Sequence, residues 1–279
     1  ANDTFNDTAQ MAQDNTSTSL KIAILGCGNI GLAIAKGLAN ARVCQPQNVY
    51  LTRKTPESLK KLLHHELKPS SISPSQMEDK KPEEEIDFSK FNISTDNIKA
   101  VEEAKIIFLA VTPQTLNELL ESIKGSLKPK HHILISVVSG AEIKDISKRI
   151  GSEDIEVVRA MPNTAIAFRE SMTCISAKSR TSEGLQTAKK LFDVLGETLV
   201  VDEEQMVPAT ALCACGVAFF CRAIRAASQG GIEIGFHSED AIKLAAQTAK
   251  GAATLLLQSG SHPEREVDKV TTPQGCTIA

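Results

Sequence analysis

The chain has 279 residues, 42% of them hydrophobic and 23% charged, which suits two domains with ordinary cores. A formal charge of −3 gives no basic surface for nucleic acid or an anionic membrane, and no uninterrupted apolar run reaches the roughly 18 residues of a membrane span. The seven cysteines (Cys27, Cys44, Cys174, Cys213, Cys215, Cys221 and Cys276) are odd in number and form no C-x-x-C pair, so neither a disulfide framework nor a zinc site is indicated.

Residues 1–19 are polar and lack the basic start and apolar middle of a secretion signal. They read as a disordered leader, with the cytoplasm as the default location. The apolar run 21–25 then predicts a buried strand. Gly26-Cys27-Gly28-Asn29-Ile30-Gly31 follows and fits G-x-G-x-x-G, and an Ala/Leu-rich helix comes next. That order is the signature of a dinucleotide site. Gly26 allows the tight turn, Gly28 lets a pyrophosphate approach the backbone, and Gly31 lets helix and strand pack closely. The helix N-terminus offers unpaired N–H groups to the phosphates.

The second strand, 48–51, leads into Thr52-Arg53-Lys54-Thr55. An NAD site has a carboxylate here to hold the ribose hydroxyls. This segment has none; Thr52, Arg53 and Lys54 suit a 2′-phosphate and favour NADP over NAD. Residues 54–63 look helical. Residues 64–87, with three prolines and Glu83-Glu84-Glu85, read as a solvated insertion. A short strand is expected at 91–95, with Asp96 or Asn97 capping the next helix. The apolar runs 106–111 and 133–138 flank a helix at 114–123. Further strands are expected at 156–159 and 172–175. The β–α alternation argues for a doubly wound sheet over residues 20–180.

Beyond 180 the pattern changes. A helix is expected at 181–195, a last strand at 197–201, and long helices at 205–229 and 238–258, the latter capped by Ser238. Their many small residues allow close helix packing, in an intersubunit bundle or a monomeric helical domain. Cys213 and Cys215 read as small apolar helix residues or a redox pair. His64-His65 and His131-His132 read as surface or strand-entry histidines, with no metal site assigned.

Several motifs now stand in a known order: the glycine turn, Ala110-Val111-Thr112-Pro113-Gln114, Arg159-Ala160-Met161-Pro162-Asn163-Thr164, His262-Pro263, and Val270-Thr271-Thr272-Pro273-Gln274-Gly275-Cys276-Thr277-Ile278. Over about residues 20–279 the chain resembles the pyrroline-5-carboxylate reductase family. The resemblance implies a Rossmann-type doubly wound sheet followed by a helical dimerisation and substrate domain over 181–279, α/β followed by all-α. It implies a homodimer or higher homo-oligomer, and hydride transfer from NADPH to a cyclic imino acid, giving L-proline. Thr272, Gly275, Cys276 and Thr277 would bind substrate. Thr277 matches the family threonine beside the ring nitrogen, where it orients substrate or relays a proton. Ala110, Val111 and Pro113 would line the cofactor crevice. Asn163 would either bond near the nicotinamide or lock its own loop, and Arg159 would either bind an anion or form a structural ion pair. Pro162 is open to a cis bond. Thr112 replaces the family's lysine, Ala214-Cys215-Gly216-Val217-Ala218 replaces Gly-Ser-Gly-Pro-Ala, and Gln274 replaces a glycine. Relatives usually continue into another helix beyond Ala279. These departures keep two alternatives in play: a related imine or carbonyl-acid reductase, and a non-catalytic NADP(H)-binding dimer.

Overall fold

The computed structural model describes residues 20–59, 86–273 and 275. The expected leader, most of the insertion, and Gln274, Cys276 and Thr277 lie outside the described residues. The described residues divide into two compact units, the first ending at Cys215 and the second beginning at Gly216.

The first unit holds β1 (Ile22–Leu25), α1 (Asn29–Asn40), β2 (Val49–Thr52), β3 (Asn92–Ser94), α2 (Asn97–Glu103), β4 (Ile106–Leu109), α3 (Pro113–Ile123), β5 (Ile133–Ser136), α4 (Ile143–Ile150), β6 (Glu156–Met161), β7 (Ser171–Ala177), α5 (Glu183–Asp193), β8 (Gly196–Val200) and the short α6 (Met206–Ala209). Eight strands form one sheet in the order β3-β2-β1-β4-β5-β6-β7-β8. The first six strands in that order run parallel; β7 pairs antiparallel with β6, and β8 parallel with β7.

Alternation along the central strands explains the two layers. Ile22 and Ile24 of β1 and Ile106 and Phe108 of β4 pack on one face, against α1 and the Leu185, Ala188, Leu191 and Phe192 stripe of α5. Ala23, Leu25, Ile107 and Leu109 point to the other face, against α2, α3 and α4. Both faces are covered, so these strands are continuously apolar rather than alternating. The rings of Phe108 and Phe192 meet edge-to-face at 6.1 Å, an arrangement worth about 0.5–1.5 kcal/mol beyond area burial.

Several expectations need correction. The strand expected at 197–201 is β8, which belongs to the sheet, so residues 181–215 lie with the first unit. The helix expected at 205–229 is not continuous: α6 passes into a π-helical turn, Thr210–Ala214, before α7 (Gly216–Glu233) begins. Ser238 is the first residue of α8 (Ser238–Ser259), and the capping position belongs to His237, whose side chain makes no cap bond. Asp96, by contrast, caps α2 by accepting from the Lys99 N–H at 3.0 Å.

The second unit consists of α7, α8 and α9 (Pro263–Val270). Phe220, Ile224, Phe236 and Leu244 line an apolar groove of about 430 Å³ along α7 and α8. Phe219, Ile234 and Leu257 are also exposed. By length and composition alone the helical stretch Glu203–Glu233 is apolar enough to cross a membrane.

Candidate functional site

The glycine turn forms at the end of β1. Gly26 has φ +80°, and a Cβ there would collide with the Val111 side chain. The N–H groups of Gly26 and Cys27 both donate to the Thr52 carbonyl, at 3.1 and 2.7 Å. A Cβ on Gly31 would lie 3.0 Å from Ile24 Cγ2 and 3.4 Å from Ala110 Cβ, so α1 packs closely on the sheet and a larger residue here would push those side chains aside. Gly28 occupies the N-cap of α1 without a side-chain bond, and no acidic residue follows in the first turn. The amides around Gly28, Asn29, Ile30 and Gly31 are thus the open end of a helix, ready for an anion. Cys27 is buried within the turn, and burial pushes its thiol up to about 12. It is a packing residue, not a nucleophile.

The sheet order reverses at β1, between β2 and β4, and this switch point opens a crevice at the carboxyl ends of the strands. One cleft of about 420 Å³ is lined by Gly26, Thr52, Arg53, Lys54 and Val111. Ala110 packs behind it, its N–H donating to the Leu25 carbonyl at 2.9 Å. Pro113 is the first residue of α3. Arg53 Nη1 donates to the Cys27 carbonyl at 3.4 Å. Lys54 Nζ lies 3.8 Å from Glu118 Oε2. Thr52 is buried, and its hydroxyl bonds Asn97 Oδ1 at 2.5 Å, so it braces the wall. Thr95, Asn97, Thr115, Glu118, Leu119 and Ser122 also line the cleft; of these the sequence singled out only Asn97, and that as a helix cap. Asn97 follows the readable cap Asp96, so the start of α2 was visible; nothing local marks Glu118.

At the end of β6, Asn163 is buried and fully engaged. Its Nδ2 donates to the Cys213 carbonyl at 3.1 Å, its Oδ1 accepts from the Ala165 N–H at 3.0 Å, and its N–H donates to Ser171 Oγ at 3.1 Å. These bonds lock the loop to the π-helical turn. Arg159 is also buried and donates to Glu203 Oε1 at 2.9 Å; the same oxygen accepts from the Ile143 N–H at 2.8 Å. Arg159 therefore makes a structural ion pair. The bond before Pro162 is trans. Cys213 faces Cys174, sulfur to sulfur at 3.8 Å, whereas Cys215 is exposed. Burial is the first cause that raises the Cys174 thiol to about 11. In the second unit, the Gly275 N–H donates to the Thr272 carbonyl at 2.9 Å, the described part of the expected substrate loop.

Comparisons decide the family. The model "Pyrroline-5-carboxylate reductase dimerisation" matches residues 203–279, and "NADP oxidoreductase coenzyme F420-dependent" matches 21–140. Pyrroline-5-carboxylate reductase 2 of Dictyostelium discoideum is 43% identical over 283 residues, covering 96% of this chain and 87% of the relative. The chain belongs to the pyrroline-5-carboxylate reductase family. Pyrroline-5-carboxylate reductase 1 of the same organism is 49% identical over 270 residues, spanning 92% of this chain but only 44% of that longer relative. The solved pyrroline carboxylate reductase of Plasmodium falciparum, with NADP bound, shares the fold: TM-score 0.75, 22% identity, covering 94% of this chain and 88% of that one.

Against the pyrroline-5-carboxylate reductase pattern, two departures now have a place in the structure. Thr112 is the N-cap of α3, where its carbonyl accepts from Thr115 Oγ1 at 3.1 Å. Ala214 and Cys215 close the π-helical turn whose Cys213 carbonyl anchors Asn163.

Proposed function

We propose that this chain reduces 1-pyrroline-5-carboxylate to L-proline with NADPH, the last step of proline biosynthesis. One observation carries the reading. A chain 43% identical to a curated reductase over nearly its whole length keeps an uncapped helix N-terminus beside a cationic, carboxylate-free β2 end. NADPH supplies the hydride. The Gly28–Gly31 amides hold the pyrophosphate, Arg53 and Lys54 hold the 2′-phosphate, and Ala110, Val111 and Pro113 line the crevice. The residues fit this group because the turn cannot accept a Cβ at Gly26 and no side chain hydrogen-bonds the helix end.

An imine accepts hydride best with its nitrogen protonated, and the ring's positive charge disappears as the C–H bond forms. The protein's work is therefore alignment and charge placement. We assign Thr272, Gly275, Cys276 and Thr277 to the substrate carboxylate and ring nitrogen, since small residues and hydroxyls suit carboxylate binding. The exposed apolar face of α7 and α8 is assigned to a homodimer contact, which accounts for the apolar Glu203–Glu233 stretch without a membrane. The reading includes a cytoplasmic location, testable by fractionation.

The deciding experiment follows NADPH consumption spectrophotometrically with pyrroline-5-carboxylate, beside Thr277→Ala. Turnover that falls about 100-fold in the variant supports the reading. Turnover only with a different imino or keto acid replaces the substrate. NADPH binding without turnover on any such acid leaves the non-catalytic dimer.

A further inference from the structure

The cleft that carries Arg53 and Lys54 also carries an opposing charge. Among the described residues that line it, Glu118, on α3, is the single carboxylate, and Arg53 and Lys54 are the only cations. Glu118 Oε2 lies 3.8 Å from Lys54 Nζ. Both side chains are largely exposed, so the pair contributes little to stability. Its importance lies in what else the lysine is available to hold.

We infer that Glu118 is a specificity-determining residue for the nucleotide, a counter-charge that weakens NADPH relative to NADH. The inference rests on the reading that the 2′-phosphate sits at Arg53 and Lys54. An anion touching the Lys54 ammonium at about 2.8 Å stands within roughly 7 Å of a carboxylate that is itself 3.8 Å from that ammonium. That separation is inside the Debye length of about 8 Å at physiological ionic strength. Repulsion between phosphate and carboxylate is therefore only partly screened. The two also compete for one ammonium group. NADH brings no charge to this position, and its ribose hydroxyls can donate to a carboxylate. The same side chain thus opposes one nucleotide and tolerates the other, and the absence of an acid at the end of β2 is partly offset from α3.

The test titrates the full chain with NADPH and with NADH, following nucleotide fluorescence, in wild type, Glu118→Gln and Glu118→Lys. At low ionic strength Glu118→Gln should tighten NADPH about threefold and Glu118→Lys about tenfold, with NADH unchanged or weaker, and the gain should shrink as salt is added. An unchanged NADPH-to-NADH affinity ratio in both variants overturns the inference, as does an equal shift for both nucleotides. Arg53→Ala separates the two levels of the argument. If it weakens NADPH selectively while the Glu118 variants leave the ratio alone, only the role of Glu118 fails. If Arg53→Ala also leaves the ratio alone, the placement of the 2′-phosphate in this cleft fails with it.

Discussion

Position 26 takes glycine for two separate reasons, a left-handed φ of +80° and the Val111 side chain where a Cβ would stand. Gly26→Ala should therefore cost about 1–2 kcal/mol from the backbone alone, more from displacing Val111, and weaken NADPH at least tenfold; thermal melts and nucleotide titration measure the two effects. His132 supplies a pH prediction. It is 1% exposed, its Nδ1 accepts from the Lys128 N–H at 2.9 Å, and its Nε2 has no hydrogen-bond partner among the described residues. Burial first, then the neighbouring His131 and Lys128, lowers its pKa from 6.5 to about 4. The unfolded chain therefore binds the proton first. Stability is full above pH 6.5 and falls as the pH drops toward 4, by about 3 kcal/mol in all. Denaturant titrations across that window should show the slope, and His132→Gln should flatten it. At this scale the sequence was informative where one side chain serves its own backbone, as Asp96 does. It was misleading at Thr52, because a hydroxyl beside two cations looks like a phosphate ligand. Its direction toward Asn97 is set by a helix 45 residues away.

Among the elements, α5 holds its layer through Phe192, fully buried and edge-on to Phe108. Phe192→Ala should cost about 3–5 kcal/mol, read from chemical unfolding, with nucleotide affinity in the surviving folded fraction nearly unchanged. The strands and helices of the sheet were largely legible, since apolar runs and periodic stripes are local signals. Strand direction was not: the reversal of β7 is a pairing relation, and no pattern within Ser171–Ala177 encodes it. Nor was the π-helical turn, because an Ala-rich apolar run reads as one helix throughout. The assignment of β8 to the sheet escaped notice for the same reason. Its residues read as strand, but its partner, β7, is named only by the fold.

For the whole molecule, the question is what covers the exposed Phe220 and Leu244 in the second unit. If a second copy does, Phe220→Asp combined with Leu244→Asp should convert the oligomer to monomer, observed by sedimentation velocity, and abolish turnover while NADPH still binds the first unit. A dimer that persists in the double variant removes that surface from the contact. The tie between Thr52 and the glycine turn has one more consequence. The fastening uses the carbonyl of residue 52, which every amino acid possesses, and two amide hydrogens from the turn. Mutation can therefore revise the pair Arg53 and Lys54 side chain by side chain, while the pyrophosphate cradle stays fastened mainly through backbone atoms of residue 52. Coenzyme choice in such a chain is free to drift without the loop that recognises coenzymes having to be reinvented.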